Sequence, residues 1–245
     1  MQYVGNKSKI VKEILPLILA GSKNRPYYEP FVGSAAVISQ VPPSFARFGN
    51  DKNPYLIALL TSIRDGWVPP EKVTEEEYEN TRRQASRLSP ELVGFVGLCC
   101  SFGGKFWGGY ARGTSDPSKR ANNYALRGKR ALLDLAPFLK GVQFTSSSYS
   151  DVHIPDGAIV YCDPPYQGTT GYEYKVDNFG EFNRWCDKLV ARDCRVFVSG
   201  YWANRRTGWD AVWKKYLKIT MDRNAKDERL EVLFHKSPAD FLADL

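Results

Sequence analysis

The sequence predicts an α/β fold built on a mostly parallel β-sheet. Near its start, a short strand, a glycine turn, a helix, a second strand and an acid follow one another, as in one half of a nucleotide-binding sheet. Near its end, two strand-like runs are joined by a charged loop, which predicts a hairpin with antiparallel pairing. A polar and glycine-rich stretch between these parts breaks the rhythm. Together the observations predict a Rossmann-like sheet with an antiparallel C-terminal edge strand and a helical and loop insertion.

The N-terminal part is predicted to alternate helices and strands. Isoleucine and leucine recur at helical spacing from Lys7 to Leu19, so a helix is expected there. The segments that follow are assigned from apolar runs bounded by glycine and proline. They are a strand at 27–32, a small-residue helix from Gly33 to Ile38, a strand at 45–48 that ends at Gly49-Asn50-Asp51, and a helix from Pro54 to Ile63.

Residues 65–140 are predicted to form an insertion that carries a target-recognition surface. Thr74 and Glu77 have the spacing of a capping box, which predicts the start of a polar helix that runs to about Leu88. An apolar helix is expected from Ser89 to Cys100, and it is followed by a glycine-rich loop at 102–113 and a basic helix at 122–139. The sheet domain then consists of residues 1–64 and 141–245, and the insertion of residues 65–140.

The rhythm of strands and helices returns after residue 140. The predicted elements are strands at 142–146, 158–162 and 195–198, with a helix over 179–192 before the last of them. Two further strand-like runs, 216–221 and 230–236, are joined by the charged residues 222–229. A hairpin of this kind fits at the edge of an otherwise parallel sheet.

The basic charge of the chain is concentrated in one segment. The 245 residues carry a net charge of +7, and 43% of them are hydrophobic, which is enough for the core of one large domain. Between Ser101 and Thr145 there are eight basic and two acidic residues, interleaved with aromatic residues. This pattern favours a contact surface for a polyanion over a helix face whose charge serves only solubility.

Cysteine and histidine usage argues against a disulfide framework or a metal site. The five cysteines are an odd number in mostly apolar segments, so reduced core cysteines are expected. His153 and His235 lack the spacing of zinc ligands, so no metal is expected. The apolar runs are too short to span a membrane, and charged residues occupy the place of a signal peptide's apolar region. A cytoplasmic protein without membrane association is therefore expected.

The most informative segment is Asp163-Pro164-Pro165-Tyr166, which directly follows the apolar strand at 158–162. Proline cannot continue a hydrogen-bonded ladder and restricts the backbone before it, so the strand ends in a stiff edge. This edge presents a carboxylate, carbonyl oxygens and an aromatic ring, which suits chemistry on the exocyclic amine of a nucleobase. The alternative interpretation is a proline-rich turn without function.

Three further segments lie at the ends of predicted N-terminal elements. They are Tyr3-Val4-Gly5-Asn6-Lys7, Glu29-Pro30-Phe31-Val32-Gly33-Ser34 and Asn50-Asp51-Lys52-Asn53. Their order, followed by the insertion and the acid-Pro-Pro-Tyr segment, resembles that of the Dam-type (alpha-group) DNA adenine N6-methyltransferases of bacteria and phages. The resemblance covers most of the chain and is weak in the insertion. Taken singly, each segment also fits a purely structural role, such as a helix cap for Asp51.

The resemblance implies a site for S-adenosyl-L-methionine in the domain formed by residues 1–64 and 141–245. Gly33 would let the backbone approach the methionine part, and Asp51 would bind the ribose hydroxyls. Tyr3 and Lys7 would close over the cofactor, although Tyr3 stands where tryptophan is common and Asn6 where glycine is common. The implied cofactor-binding residues are Tyr3, Lys7, Glu29, Pro30, Phe31, Gly33, Asp51, Tyr149, Asp151 and Asp163.

The resemblance also implies methyl transfer from this cofactor to N6 of an adenine flipped out of double-stranded DNA. The implied catalytic residues are Asp163, Pro164 and Tyr166, which would orient the amine and stack on the ring. No obligate protein partner is implied. The expected DNA contacts lie in the insertion and are Lys105, Trp107, Tyr110, Arg112, Lys119, Arg120, Asn122, Arg127 and Arg130. The alternatives are methylation of cytosine N4 or of adenine in RNA, and a catalytically inactive DNA-binding relative.

Overall fold

The computed structural model describes residues 7–22, 24–113, 122–165, 178–201, 208–218 and 228–236. The strands are β1 Tyr27–Glu29, β2 Arg47–Asn50, β3 Val142–Thr145, β4 Ile159–Cys162, β5 Arg195–Tyr201, β6 Asp210–Lys218 and β7 Glu228–Lys236. The α-helices are α1 Val11–Leu19, α2 Pro54–Arg64, α3 Glu75–Arg83, α4 Pro90–Cys99, α5 Tyr124–Leu135 and α6 Phe179–Val190. Short 3-10 turns lie at Lys7–Lys9, Ile38–Gln40, Ala85–Arg87, Phe102–Gly104, Ala136–Leu139 and Tyr149–Asp151.

The described strands form one sheet in the order β3-β2-β1-β4-β5-β7-β6. β1 pairs in parallel with β2 and β4, β2 pairs in parallel with β3, and β4 pairs in parallel with β5. β7 is antiparallel to both β5 and β6. The predicted α/β class, mostly parallel sheet and antiparallel C-terminal edge are therefore confirmed. The strand order reverses between β1 and β4, and ligands of open α/β sheets bind at the carboxyl ends beside such a reversal.

Alternate side chains of the central strands face two separate cores. On one face, Tyr27, Tyr161 and Leu233 belong to the same buried cluster as residues of α1, α2 and α4. On the other face, Val160 and Cys162 pack with residues of α6. A parallel strand that is buried on both faces needs a continuous apolar run. This requirement explains why β4 is apolar at every position.

The helices of the insertion share the first of these cores. α4 is buried from Val93 to Cys99. It lies so close to α2 that a Cβ atom added to Gly94 would stand 2.1 Å from the carbonyl oxygen of Tyr55. The described part of the insertion is therefore packed onto the sheet domain. The assignment of residues 65–140 as the target-recognition unit stays a prediction.

The prediction of a helix from Gly33 to Ile38 is wrong. Gly33 has a φ of +48° and Ala35 a φ of +59°, and a right-handed helix cannot pass through this left-handed region. The segment forms turns, and a single 3-10 turn covers Ile38–Gln40. β1 is also shorter than predicted and ends at Glu29, because Pro30 has no N–H group to donate to a neighbouring strand.

The outer hairpin strand β6 begins earlier than predicted, at Asp210 rather than Tyr216. Its pairing with β7 shifts register between Ala211 and Trp213. Such an irregularity disturbs the alternation of inward and outward residues, so the first half of the strand lacks the pattern that predicts one. The predicted strand residues 219–221 lie outside the described part of the chain.

The five cysteines are all buried and carry free thiols. Among the described helices, none combines the length and the apolar character needed to cross a membrane. Within the same residues, histidine, cysteine, aspartate and glutamate do not gather into a group that could hold a metal ion.

Candidate active site

Three acidic side chains stand at the ends of neighbouring parallel strands. Glu29 is the last residue of β1, Asp51 directly follows β2, and Asp163 directly follows β4. Because parallel strands end at the same edge of a sheet, the three residues lie at one edge, beside the reversal of strand order. Part of the sequence-predicted site is thereby brought together by the topology alone.

Asp51 holds the loop that follows β1. Its two carboxylate oxygens accept hydrogen bonds from the backbone N–H groups of Gly33, at 3.1 Å, and Asn53, at 3.0 Å. Gly33 can turn towards Asp51 because it adopts a positive φ, which glycine does at little cost. Burial raises the pKa of the Asp51 carboxyl to about 6, although the two N–H donors act in the opposite direction.

Asn50 joins two loops of the site and was not among the predicted residues. It is 2% exposed, and its amide nitrogen donates to the carbonyl oxygens of Pro30, at 3.1 Å, and Ser147, at 3.0 Å. Its amide oxygen accepts from the N–H group of Ser147 and from the hydroxyl of Thr145. These bonds fix the loop after β1 relative to the loop that carries Tyr149. In the sequence, Asn50 is only an asparagine at a strand end, where this residue type is common because it favours turns.

Aromatic rings form a wall beside these loops. The ring centroids of Phe31 and Tyr149 are 5.3 Å apart, and Phe182 lies 5.7 Å from Phe31. Trp185 completes the group at 5.1 Å from Tyr149. Phe31 and Tyr149 were predicted as cofactor-binding residues, whereas Phe182 and Trp185 of α6 were not. Asp151, in the short turn that begins at Tyr149, is exposed.

Lys7 contacts the acidic corner at the end of β4. Its ammonium nitrogen lies 2.7 Å from Asp163 Oδ1 and 3.6 Å from Glu231 Oε1, and its side chain is 8% exposed. Burial lowers the pKa of this ammonium, but the carboxylates of Asp163 and Glu231 outweigh the burial, so the pKa lies above the ordinary lysine value. The sequence predicted Lys7 at the cofactor and did not single out Glu231.

Glu29, at the end of β1, is a further buried carboxylate at this edge of the sheet. The hydroxyl of Tyr27 donates to Glu29 Oε1 at 2.6 Å, and Glu29 is 3% exposed. Burial raises the pKa of Glu29 well above its ordinary value, against the effect of the Tyr27 hydrogen bond. Glu29 is therefore held towards its neutral form. Separately, the hydroxyls of Tyr161 on β4 and Ser199 on β5 are 2.8 Å apart.

Two predicted residues of the site are buried prolines, and others lie outside the described part of the chain. Pro30 and Pro164 are buried directly after β1 and after Asp163. Tyr3 and Tyr166, predicted to contact the cofactor and the base, lie outside the described residues, as do Lys119 and Arg120 of the predicted DNA surface.

Four described residues of the predicted DNA surface fall into two groups. Arg127 and Arg130 are exposed on α5. Trp107 and Tyr110 instead pack against Tyr78, with ring centroids 5.2 Å and 5.7 Å away. Their packing gives both aromatic residues a structural role, and their contact with DNA stays a prediction.

The remaining described members of the predicted DNA surface are a paired arginine and two half-buried residues. Arg112 is exposed and forms an ion pair with Glu75 of α3. Lys105 and Asn122 are half-buried. Lys129, which was not among the predicted contacts, pairs with Glu71 at 3.0 Å. Part of the basic charge is thus paired with acidic residues in or near α3.

Comparison with known proteins gives one family and two relatives. Residues 3–92 match the family described as D12 class N6 adenine-specific DNA methyltransferase. The chain is 26% identical over 205 residues to the type II methyltransferase M.FokI of Planomicrobium okeanokoites, which covers 76% of this chain and 31% of that protein. It is 28% identical over 213 residues to the retron Ec67 DNA adenine methylase of Escherichia coli, which covers 76% of this chain and 69% of that protein.

The chain spans only part of the length of each of these relatives. The chain spans 31% of the length of M.FokI and 69% of the length of the retron Ec67 enzyme. Among solved structures, the rRNA methyltransferase aviRa from Streptomyces viridochromogenes aligns with a TM-score of 0.42 and 14% identity, over 96% of this chain and 86% of that one.

Proposed function

We propose that this chain, whose residues 3–92 match the family of D12 class N6 adenine-specific DNA methyltransferases, methylates N6 of adenine in duplex DNA with S-adenosyl-L-methionine as donor. The observation that carries the proposal is the contact between Asp163 of the acid-Pro-Pro-Tyr segment and Lys7, at 2.7 Å. It joins two sequence-predicted motifs at the edge where Glu29 ends β1 and Asp51 follows β2. The names of both relatives support a methyltransferase, and that of the retron relative also DNA adenine as the substrate.

The residues at this edge fit the parts of the proposed cofactor. S-adenosyl-L-methionine supplies a methyl group on a sulfonium, whose C–S electron pair returns to sulfur when the methyl group leaves. Asp51 has acceptor capacity beyond its two backbone bonds, because a carboxylate has about four lone-pair sites, and can bind ribose hydroxyls. Phe31 and Tyr149 offer an aromatic wall for a flat ring. Gly33 has no side chain, so a ligand can approach its backbone closely.

The acid-Pro-Pro-Tyr segment orients the substrate amine. The N6 lone pair of adenine is delocalised into the ring, so the amine is a poor nucleophile. The Asp163 carboxylate and the Pro164 carbonyl accept the two N6 hydrogens, which favours a more tetrahedral nitrogen with its lone pair available for attack. The proposal assigns Tyr166 to stack on the base. The nitrogen forms the new N–C bond with its lone pair and then releases one proton.

The target base must leave the DNA helix before it reaches this corner. Flipping a base out of the stack costs a few kcal/mol, and phosphate contacts from basic residues offset that cost. Arg127 and Arg130 are the exposed basic residues of α5 that we assign to this task. Chromosomal or phage DNA as the substrate places the protein in the cytoplasm, and the proposal needs no protein partner.

Methyl incorporation tests the proposed function. Purified protein is incubated with S-adenosyl-L-methionine carrying a tritiated methyl group and with DNA that lacks methylated bases. We expect label in DNA, and digestion to nucleosides should identify N6-methyladenine. The Asp163→Ala variant should lose at least about 100-fold in rate, since an acceptor aimed at the reacting group is removed, and should retain most of its cofactor binding in calorimetry.

Four outcomes would contradict the proposal in different ways. N4-methylcytosine in the digest would change the substrate base, and label in RNA but not in DNA would change the nucleic acid. Cofactor binding without transfer to any nucleic acid would leave a binding protein. Full activity of Asp163→Ala would remove the proposed corner from the chemistry.

A further inference from the structure

Glu231 is a second buried carboxylate in the corner formed by Asp163 and Lys7. It lies on β7 and is 4% exposed. Its Oε1 is 3.6 Å from the same Lys7 nitrogen that stands 2.7 Å from Asp163. In the sheet, Glu231 is paired with Tyr201 of β5. Two carboxylates from strands far apart in the sequence therefore share one ammonium group.

We propose that Glu231 is a positioning residue for methyl transfer, which holds Lys7 between itself and Asp163 and thereby fixes the place of the Asp163 carboxylate. The inference rests on the proposed function and adds a residue outside its motifs. Glu231 acts through Lys7 and not on the reacting atoms. Its side chain is 5% exposed and that of Asp163 is 19% exposed, so Asp163 is the carboxylate more accessible to a substrate.

The location of Glu231 on a paired strand makes it a fixed support. β7 is hydrogen-bonded to β5 on one side and to β6 on the other. Lys7 lies in a three-residue 3-10 turn before α1, and a lysine side chain has many rotamers. A long side chain keeps one position when its partners are themselves rigid. Glu231 thus restricts Lys7, and Lys7 in turn restricts the Asp163 carboxylate.

Single-turnover methylation rates test the inference. With DNA and cofactor saturating, Glu231→Gln should slow the transfer by about 10-fold to 100-fold. The reason is that Lys7, and with it the Asp163 carboxylate, would shift by a fraction of an ångström. Cofactor affinity and KM for DNA should change less than about threefold, because Glu231 touches neither ligand in the proposed function. Glu231→Asp, which retains the charge, should recover part of the lost rate.

A double-mutant comparison identifies the route of the effect. Because Glu231 is proposed to act through Lys7, Glu231→Gln should cause no further loss of rate in a Lys7→Met background. The matched control is Asp187→Asn. The Asp187 carboxylate of α6 lies 2.6 Å from the ammonium of Lys236, which is on β7 like Glu231 but away from the corner. This variant should keep the wild-type rate.

Specific results would overturn the inference. A wild-type rate for Glu231→Gln, or an equal loss of rate with and without Lys7, would exclude a role through Lys7. If Glu231→Gln does not fold, the rates of Lys7→Met and of Lys7→Met with Glu231→Gln decide, because any difference between them contradicts the inference. Wild-type transfer with an unaffected Glu231→Gln overturns this inference alone, whereas the absence of any transfer by the wild-type chain overturns the proposed function as well.

Discussion

Asp51 combines a structural task with a proposed binding task. It accepts two backbone N–H groups, from Gly33 and Asn53, and so shapes the loop between β1 and the next turn. In the proposed function it also accepts ribose hydroxyls. Burial sets its pKa at about 6 instead of 3.8. The charge of this carboxylate therefore changes in a pH range that is accessible to experiment.

Cofactor affinity should follow the ionisation of Asp51. An ionised carboxylate accepts hydroxyl hydrogens better than a protonated one, so affinity for S-adenosyl-L-methionine should rise between about pH 5 and pH 7 and then level off. Calorimetry across this range measures the effect. Asp51→Asn should bind about tenfold more weakly and show no such rise, while Asp187→Asn should keep it. The same pH dependence in Asp51→Asn would assign the effect to another group.

The same ionisation has the opposite effect on folding. Because the pKa of Asp51 is raised in the folded state, the folded protein holds this proton more tightly than the unfolded chain does. The resulting stabilisation is complete below pH 3.8 and is lost as the pH rises through about 6. Asp51 is thus charged for binding at a cost to stability.

Single residues of the site were predictable where a local motif carried them. The acid after an apolar strand identified Asp163, and the acid after the second strand identified Asp51. Asn50, Glu231 and Trp185 were not predicted, because their roles come from contacts with segments far away in the sequence. Without the pairing of β5 with β7, nothing in the sequence indicates that Glu231 faces Lys7.

At the scale of elements, α4 and α2 approach each other through a residue without a side chain. Gly94 of α4 faces the backbone of Tyr55, close to the start of α2. Asn53 fixes this start, because its side chain accepts the N–H groups of Tyr55 and Leu56. The start of α2 cannot rearrange locally without loss of these bonds. The crossing therefore tolerates no additional atom.

Gly94→Ala should destabilise the protein. The added Cβ would stand 2.1 Å from a backbone oxygen, so the helices must separate, at a cost of about 1–3 kcal/mol in the free energy of unfolding. Chemical denaturation measures this value. The control is Gly200→Ala, where the nearest atom, on Phe234, lies at 3.6 Å, and a change below about 0.5 kcal/mol is expected. Equal stability of wild type and Gly94→Ala would show that the two helices are less tightly packed.

The elements were predictable where their local signals were strong. The capping box of Thr74 and Glu77 is present as predicted and opens α3. The helix predicted at 33–38 failed because small apolar residues fit a turn as well as a helix, and only the dihedral angles distinguish the two. The start of β6 was missed because a shift in register interrupts its alternation. The pattern of apolar and polar residues does not indicate irregular backbone, because such backbone depends on contacts with neighbouring strands.

At the scale of the molecule, the basic charge is less available than the composition suggests. Acidic residues in and before α3 pair with basic residues of the insertion, as Glu75 does with Arg112 and Glu71 with Lys129. The sequence located the excess of positive charge but not its partners, because the acids stand 37 and 58 residues before the bases they pair with. Arg127 and Arg130 on α5 remain exposed.

DNA affinity should depend on these two arginines in a salt-dependent way. If each contacts one phosphate, replacing both with alanine should lower the slope of log affinity against log salt by about 2, since each phosphate contact contributes close to 0.9. Fluorescence anisotropy at several salt concentrations measures the slope. The control is Arg192→Ala, at the end of α6, where Arg192 pairs with Asp156 at 2.7 Å. An unchanged slope in the double variant would place the DNA elsewhere.

The pairing of Lys7 with Glu231 has a consequence for synthesis on the ribosome. It connects a turn near the amino end with the last described strand, which itself depends on β5 for its place in the sheet. A nascent polypeptide emerges from its amino end and folds as partners become available. Until β7 has left the exit tunnel, Lys7 lacks one of its two carboxylates. Glu231 must therefore be translated and released from the tunnel before the corner can assemble, so a product terminated before residue 231 does not acquire the complete site.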